Sequence, residues 1–383
     1  MQNKRVNIFS SAPITYYGGG ERLMVMILSY LDEHDFEPSL IDNIQPNAEK
    51  RIGENELFDI ANAKISHEKF LRYGFPKFLF QDLPDYNRIF ESSAGVSMSF
   101  IWRIPARKYL LKIRNQQSKM VFCIHGIALE RFRFTHPLIM IHQVYTRFQM
   151  FRLAKFLRGT IYAQVLDNHI LNFLVKRGAD RSNIFTIENG FNDKISLIRN
   201  DDEFRVIFIG RIENLQKGIK RLKKTAIHLQ KSNSSIKVVI IGSGRDNRVL
   251  SALPNNCEFM KNVNDEIKKR ELQRANLMII TSNLEPFSRV AIEGLQAGLP
   301  LVSTPVSGPA SIIKKNESFG VISTFNPRNL ANDIVRYYQT WREDKRAYFE
   351  LRKDISLTAA KIFKQEVMLD NYGKMLKDVI SRE

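Results

Sequence analysis

The chain has 383 residues, of which 58 are Lys or Arg and 40 are Asp or Glu, for a formal net charge of +18. This length supports two domains with a core each, and an apolar content of 44% excludes a disordered or low-complexity chain. Two cysteines, Cys123 and Cys257, exclude a disulfide framework and point to a reducing compartment. The first residues read as a strand and not as a signal peptide, and no uninterrupted apolar run is long enough to span a bilayer. The expected location is the cytoplasm, with peripheral attachment to the cytoplasmic face of a membrane left open.

In chain order, strand-like runs fall at 5–9, 88–90, 120–124, 161–166 and 184–187, and again at 204–209, 237–241, 257–260, 277–280 and 301–303. Helical patterns occupy the gaps, notably 21–31, 219–231, 265–274 and 330–339. Strands alternating with helices predict α/β domains on parallel sheets. A polar, charged stretch at 192–203 marks the expected boundary. The expected domains are 1–195, joined by an amphipathic tail helix at 362–383, and 196–361.

The charge is unevenly placed. Residues 100–160 carry twelve Lys or Arg against one acid, Glu130. Within them, 138–158 (LIMIHQVYTRFQMFRLAKFLR) mixes large apolar residues with Arg147, Arg152, Lys155 and Arg158. Such a helix can lie on an anionic membrane surface, bind nucleic acid electrostatically, or pack on its own domain.

The densest signal is 281–305, TSNLEPFSRVAIEGLQAGLPLVSTP. It reads as a polar turn after an apolar strand, a helix opened by Pro286 and closed by Gly298, and a second strand. Were the whole interval helical, Glu285 and Glu293 would lie roughly 12 Å apart along the axis, far enough to serve a sugar and a ribose. A helix N-terminus between them is an anion site, because its first amides are unpaired and the dipole favours negative charge. Upstream, Gly210-Arg211 and Lys217-Gly218 follow a strand and open a helix, so two cations leave a strand's carboxyl end together. Gly18, Gly19 and Gly20 join the first strand to the first helix, His125 ends a buried strand, and Gly242-Ser243-Gly244 follows another.

These motifs together resemble the retaining glycosyltransferases of family 4, the group 1 glycosyl transferases. The resemblance implies the GT-B fold, an α/β architecture of two Rossmann-like domains facing an interdomain cleft, with a C-terminal helix crossing back to the N-terminal domain. It implies that Arg211 and Lys217 hold the donor diphosphate together with the backbone of Gly19 and Gly20 and the amides of Ser288, Arg289 and Val290. Glu285 would accept hydrogen bonds from the transferred sugar and Glu293 from the ribose. Asn262 and Val263 would lie along the base, and His125 would orient the sugar and stabilise charge. Ser288 stands where relatives often have Gly, and Pro286 has no amide hydrogen to offer.

The expected activity is retaining transfer of a sugar from a UDP- or GDP-linked donor to a lipid-linked or membrane-proximal glycan, in surface polysaccharide or glycoprotein glycan assembly. No cofactor is expected, and no His or Cys cluster or strand-end Asp-x-Asp suggests a metal. A nucleotide-sugar hydrolase or epimerase on the same fold is the nearest alternative. A basic membrane- or nucleic-acid-binding protein with a degenerate site is the alternative from another class, with nucleic acid the less expected partner.

Overall fold

The computed structural model describes residues 5–10, 19–43, 64–68, 71–73, 81–83, 95–101, 107–125, 129, 137–191, 195–200, 202–233 and 235–382. The chain divides into two compact units, Met1–Gly190 with Gln365–Glu383 and Phe191–Lys364.

In the first unit the elements run β1 (Arg5–Ser10), α1 (Gly19–Glu33), β2 (Glu37–Asn43), β3 (Lys64–Glu68), β4 (Leu71–Tyr73), β5 (Gln81–Leu83), β6 (Val96–Ile101) and α2 (Arg107–Asn115). They continue with β7 (Lys119–Ile124), α3 (Pro137–Ala154), β8 (Ile161–Val165), α4 (Asn168–Val175), β9 (Ile184–Thr186) and the C-terminal helix (Gln365–Ser381). Seven strands form a sheet in the order β3-β2-β1-β6-β7-β8-β9, and β4 pairs with β5 apart from it. Every described pairing within the large sheet is parallel. A parallel sheet needs cover on both faces, and alternation along β7 supplies it. Val121 and Cys123 join one core, with Leu23, Ile27 and Leu31 of α1 and Tyr372, Met375 and Leu376 of the C-terminal helix. Met120, Phe122 and Ile124 join the other, with Leu110, Met150 and Leu153.

The second unit runs β10 (Phe204–Ile209), α5 (Asn214–Lys217), α6 (Ile219–Ser232), β11 (Ile236–Ile241), β12 (Cys257–Met260), α7 (Asp265–Arg274) and β13 (Leu277–Ile280). After these come α8 (Arg289–Gln296), β14 (Leu301–Ser303), α9 (Ser307–Ile313), β15 (Gly320–Ile322), α10 (Pro327–Glu343) and α11 (Lys345–Ile362). The sheet order is β12-β11-β10-β13-β14-β15, again parallel. This order reverses direction at β10 and β13, and in open α/β sheets ligands sit outside the carboxyl ends of the strands at such a switch.

One expectation needs correction, and one strand was not expected. The helix of the glutamate segment begins at Arg289 and not at Pro286, because Ser288 adopts φ +92 and breaks the helical path. The interval from Glu285 to Glu293 is therefore half loop, and the helical spacing does not apply to it. The strand of the first unit that follows the hairpin is β6, Val96–Ile101, whose buried Ser97 and Ser99 hide it from an apolar reading. The strand expected at 88–90 lies outside the described residues.

The far end of α8 is closed by Arg352 of α11, a fully buried guanidinium. It donates to Ala297 O at 3.2 Å, Gly298 O at 3.3 Å and Ile198 O at 3.1 Å. A cation there satisfies carbonyls left open by the helix end and suits its negative pole. Burial lowers the pKa of this guanidinium to about 10.

Candidate active site in the C-terminal unit

The site is assembled where the β10 loop meets the β13 loop. After Gly210 and Arg211 the chain makes the single helical turn α5, capped by Glu213, whose carboxylate accepts from the amides of Leu215 and Gln216 at 3.0 Å each. The turn ends at Gly218 with φ +67, and a Cβ there would stand 2.1 Å from Thr281 O. Only glycine fits, both for its backbone and for its closeness to β13. The two loops are then stitched together. Asn283 N and Leu284 N donate to Gln216 O at 2.7 and 3.3 Å, and Thr281 Oγ1 donates to Lys217 O at 2.9 Å.

This stitching brings Lys217 onto Glu285. Their side chains form an ion pair, both largely buried, and Ser282 Oγ donates to the same carboxylate oxygen at 3.1 Å. Removing one member of such a pair leaves the other charge uncompensated, which makes the pair a demanding feature to keep. Arg211 stands nearby on the exposed side, donating to Gln216 Oε1 at 2.8 Å.

Glu293, on α8, is only 4% exposed. Arg289 Nε lies 3.0 Å from one of its oxygens and Lys268 Nζ of α7 lies 3.4 Å from the other. A carboxylate offers about four acceptor directions, so two cations leave capacity for hydroxyl donors. The guanidinium of Arg289 also sits 4.5 Å from the centre of the Phe191 ring. Ser288 makes no side-chain cap to α8. The first-turn amides, expected from Ser288, Arg289 and Val290, therefore face no competing serine hydroxyl.

Asn262, in a left-handed conformation at φ +54, and Val263 follow β12 and lead into α7, the helix that carries Lys268. The Gly242-Ser243-Gly244 turn packs directly against the Arg211 loop. Ile212 N donates to Ser243 O at 2.9 Å, and a Cβ on Gly244 would lie 2.4 Å from Ile212 O. Its glycines serve this close approach.

Two residues that sequence reasoning missed hold the arrangement. Lys268 gave no motif signal, being one of several basic residues on a charged helix. Arg221, one turn into α6, donates to Thr281 O at 2.6 Å, Asn283 Oδ1 at 2.8 Å and Phe325 O at 2.9 Å. It ties the helix after Lys217 to the loop before Glu285 and to the segment after β15.

In the first unit, His125 stands at the carboxyl end of β7, half-buried, with Nε2 at 2.7 Å from Gln164 Oε1 and 3.1 Å from Tyr372 Oη. Gln164 Nε2 donates to Val165 O and Ile187 O at 3.0 and 2.9 Å, which fixes its Oε1 as the acceptor facing the histidine. The imidazole proton therefore belongs on Nε2, leaving Nδ1 as an acceptor. Burial lowers the pKa of His125 to about 4, against the opposing effect of Gln164. The ring is thus neutral near pH 7, so it can orient a substrate by hydrogen bonding but brings no positive charge. Gly19 and Gly20 open α1. Tyr17, Gly18 and Gly126 lie outside the described residues.

A family model described as glycosyl transferases group 1 matches residues 191–360. An uncharacterized glycosyltransferase of Methanocaldococcus jannaschii is 29% identical over 181 residues, 45% of this chain and 46% of that protein. The lipopolysaccharide 1,6-galactosyltransferase of Escherichia coli K12 is 25% identical over 177 residues, 42% of this chain and 48% of that protein. The chain thus spans about half the length of the curated relatives it matches. Among solved structures, Anabaena HepE in complex with UDP and glucose superposes with a TM-score of 0.70 at 14% identity, covering 98% of this chain and 100% of that one. That likeness shows the fold, two Rossmann-like domains of the GT-B kind. Residues 191–360, nearly all of the C-terminal unit, belong to the group 1 glycosyl transferase family.

Proposed function

We propose that this protein is a retaining glycosyltransferase. It moves a sugar from a UDP- or GDP-linked donor to a hydroxyl of a lipid-linked or membrane-proximal glycan, without a metal. The observation that carries this reading is the convergence, at the carboxyl ends of β10 and β13, of the Lys217–Glu285 pair with Arg211 and the start of α8. A donor diphosphate gains negative charge as its bond to the sugar breaks. Fixed cations and helix amides aimed at that charge need no reorganisation during the reaction.

In this reading Arg211 grips the diphosphate with a planar fork and Lys217 adds a compact charge. The backbone of Ser288, Arg289 and Val290 supplies amides. Lys217 also holds the carboxylate of Glu285 in place to receive sugar hydroxyls, and Glu293 receives the ribose while Arg289 and Lys268 keep it oriented. Asn262 and Val263 border the base. From the first unit, Gly19 and Gly20 offer backbone groups to the diphosphate, and the neutral His125 orients the sugar through Nδ1. No side chain is needed as a covalent nucleophile, since a donor phosphate oxygen can take the acceptor proton on the face of attack. Two comparisons support the donor and acceptor classes: HepE is solved with UDP and glucose, and the Escherichia coli relative is named for galactosyl transfer to lipopolysaccharide.

Calorimetric titration of UDP, GDP, ADP and dTDP, without metal, into the wild type and Glu293→Ala tests the donor site. Selective binding of one nucleotide, weakened at least tenfold in the variant, is the expected result. Failure of every nucleotide to bind would remove the basis for the assignments of Arg211, Lys217 and Glu293. The anomeric configuration of the product, read by proton NMR, tests retention.

A further inference from the structure

Helix α3 of the first unit carries large apolar residues on its exposed side as well as on its buried one. The residues it buries are Ile139, Gln143, Thr146, Gln149, Met150, Leu153 and Ala154, so three of the seven carry amide or hydroxyl groups. Its exposed large residues are Leu138 (44%), Ile141 (44%), Val144 (54%), Phe148 (59%) and Phe151 (41%). Their spacing of three and four places them on one arc of about 140°. They make up half of the exposed large hydrophobic side chains among the described residues. Scattered exposed apolar residues need no explanation, but a contiguous patch on one helix marks an interaction surface.

The charges beside this stripe say what it meets. Arg147 borders it on the helix, the half-buried Arg152 falls within its arc, Lys155 and Arg158 follow in the next turn, and residues 137–160 contain no acid. Lys155 Nζ lies 4.4 Å from the centre of the exposed Phe151 ring. A second copy of the chain packed across a two-fold axis would set these cations against their own counterparts. A nucleic acid would use the cations and leave five apolar side chains without a partner. An anionic bilayer surface satisfies both, with aromatic and aliphatic side chains at the acyl boundary and basic groups at the phosphates. No helix among the described residues is long and apolar enough to cross a membrane, which agrees with a helix lying in the interface plane.

We propose that α3 is a membrane-docking helix, seating Leu138, Ile141, Val144, Phe148 and Phe151 in the headgroup region of an anionic lipid surface. The docking stands on the geometry of the helix; its use, delivering the enzyme to a lipid-linked acceptor, rests on the proposed function.

The test is flotation of the full chain with vesicles of phosphatidylcholine alone and of equimolar phosphatidylcholine and phosphatidylglycerol. The variants are Phe148→Ser/Phe151→Ser and Lys155→Glu/Arg158→Glu. These side chains are exposed, so folding is retained, and nucleotide titration checks that the donor site is unaffected. The wild type should float with the anionic vesicles and far less with the neutral ones, less again as salt is raised. The Phe148→Ser/Phe151→Ser variant should lose at least tenfold in partitioning. The charge-reversal variant should lose at least about twentyfold, from roughly a fivefold gain per basic residue near an anionic surface. Vesicle binding by the Phe148→Ser/Phe151→Ser variant equal to the wild type would overturn the proposal. So would no vesicle binding by the wild type, or a lipid-free dimer in sedimentation velocity that the same substitutions dissociate. Nucleotide binding that persists in any of these cases leaves the donor reading standing.

Discussion

Arg221→Met should loosen the site without touching any residue assigned to the substrate. The guanidinium makes three hydrogen bonds, at 2.6, 2.8 and 2.9 Å, to acceptors on two different loops. Bonds from a charged donor contribute about 1.5–3 kcal/mol each. They share one donor group and relax together, so the sum is discounted to about 3–4 kcal/mol for the substitution. The second unit has the size at which 1 kcal/mol moves the melting temperature by about 2–4 °C. A loss of about 10 °C in a thermal scan follows, with at least tenfold weaker binding of the preferred nucleotide because the Lys217 and Glu285 loops lose their common anchor. Arg221→Lys should recover little, since a single ammonium cannot serve three acceptors arranged for a planar fork. A lysine variant with wild-type melting and nucleotide affinity would refute the argument, because it would mean that charge alone, not the fork, holds the loops.

Ser288→Gly should stabilise the protein. A non-glycine residue at φ +92 carries strain of about 1–2 kcal/mol. Glycine relieves it but adds about 0.5–1 kcal/mol of backbone entropy cost. The net gain is about 0.5–1 kcal/mol, measurable by urea titration, and a lower midpoint would refute the strain assignment. Gly218→Ala should do the reverse, forcing a Cβ to within 2.1 Å of Thr281 O. Loss of more than about 2 kcal/mol and of nucleotide binding is expected. His125 titrates at about 4 in the folded chain against an ordinary value of 6.5, so the unfolded state binds its proton first. The stability this residue contributes is full above pH 6.5 and falls as pH drops toward 4, by at most about 3 kcal/mol. Urea unfolding between pH 4 and 7 should show a shallower pH slope in His125→Gln than in the wild type, and equal slopes would contradict the assignment.

Much of the second unit was legible because its strands are short apolar runs, the central ones buried on both faces, that end at polar or glycine turns. Phe204–Ile209, Cys257–Met260, Leu277–Ile280 and Leu301–Ser303 all stand where their apolar runs predict. Asp265–Arg274 is equally plain, opened by Asn264, whose side chain accepts from Ile267 N at 2.9 Å. The edge strand Gly320–Ile322 and helix Ser307–Ile313 are too short to show a period. Pro286 looked like a helix start because proline favours the first helical position, yet the left-handed Ser288 moves that start on to Arg289. Partners were less legible than motifs. Arg221 meets Thr281 and Phe325, and His125 meets Gln164 and Tyr372, across separations that no local pattern encodes. Helix α3 was foreseen as a basic amphipathic segment, but which side it buries is decided by neighbours. Gln143, Thr146 and Gln149 go inward only because the fold supplies a surface to receive them.

The charges of the second unit have a logic that neither stability nor chance composition explains well. Burying Glu285 and Glu293 carries a desolvation cost that ion pairs rarely exceed by much, and apolar residues of similar size commonly do as well. The structure nonetheless gives each of them a cation, Lys217 for Glu285 and both Arg289 and Lys268 for Glu293. Glu213 on the Arg211 loop and Asp265, 3.7 Å from Lys268, balance further cations of the neighbourhood. Arg211 differs, because on the exposed side of its loop it meets the neutral Gln216. A cation held by a neutral amide, with a helix start as a second positive pole, suits a dianionic ligand. On the proposed function that ligand is the donor diphosphate, and the carboxylates are kept because they, unlike the cations, can accept hydrogen bonds from hydroxyls on either side of it. The two signs of charge thus divide the work, cations for the group that leaves and carboxylates for the sugars at its ends.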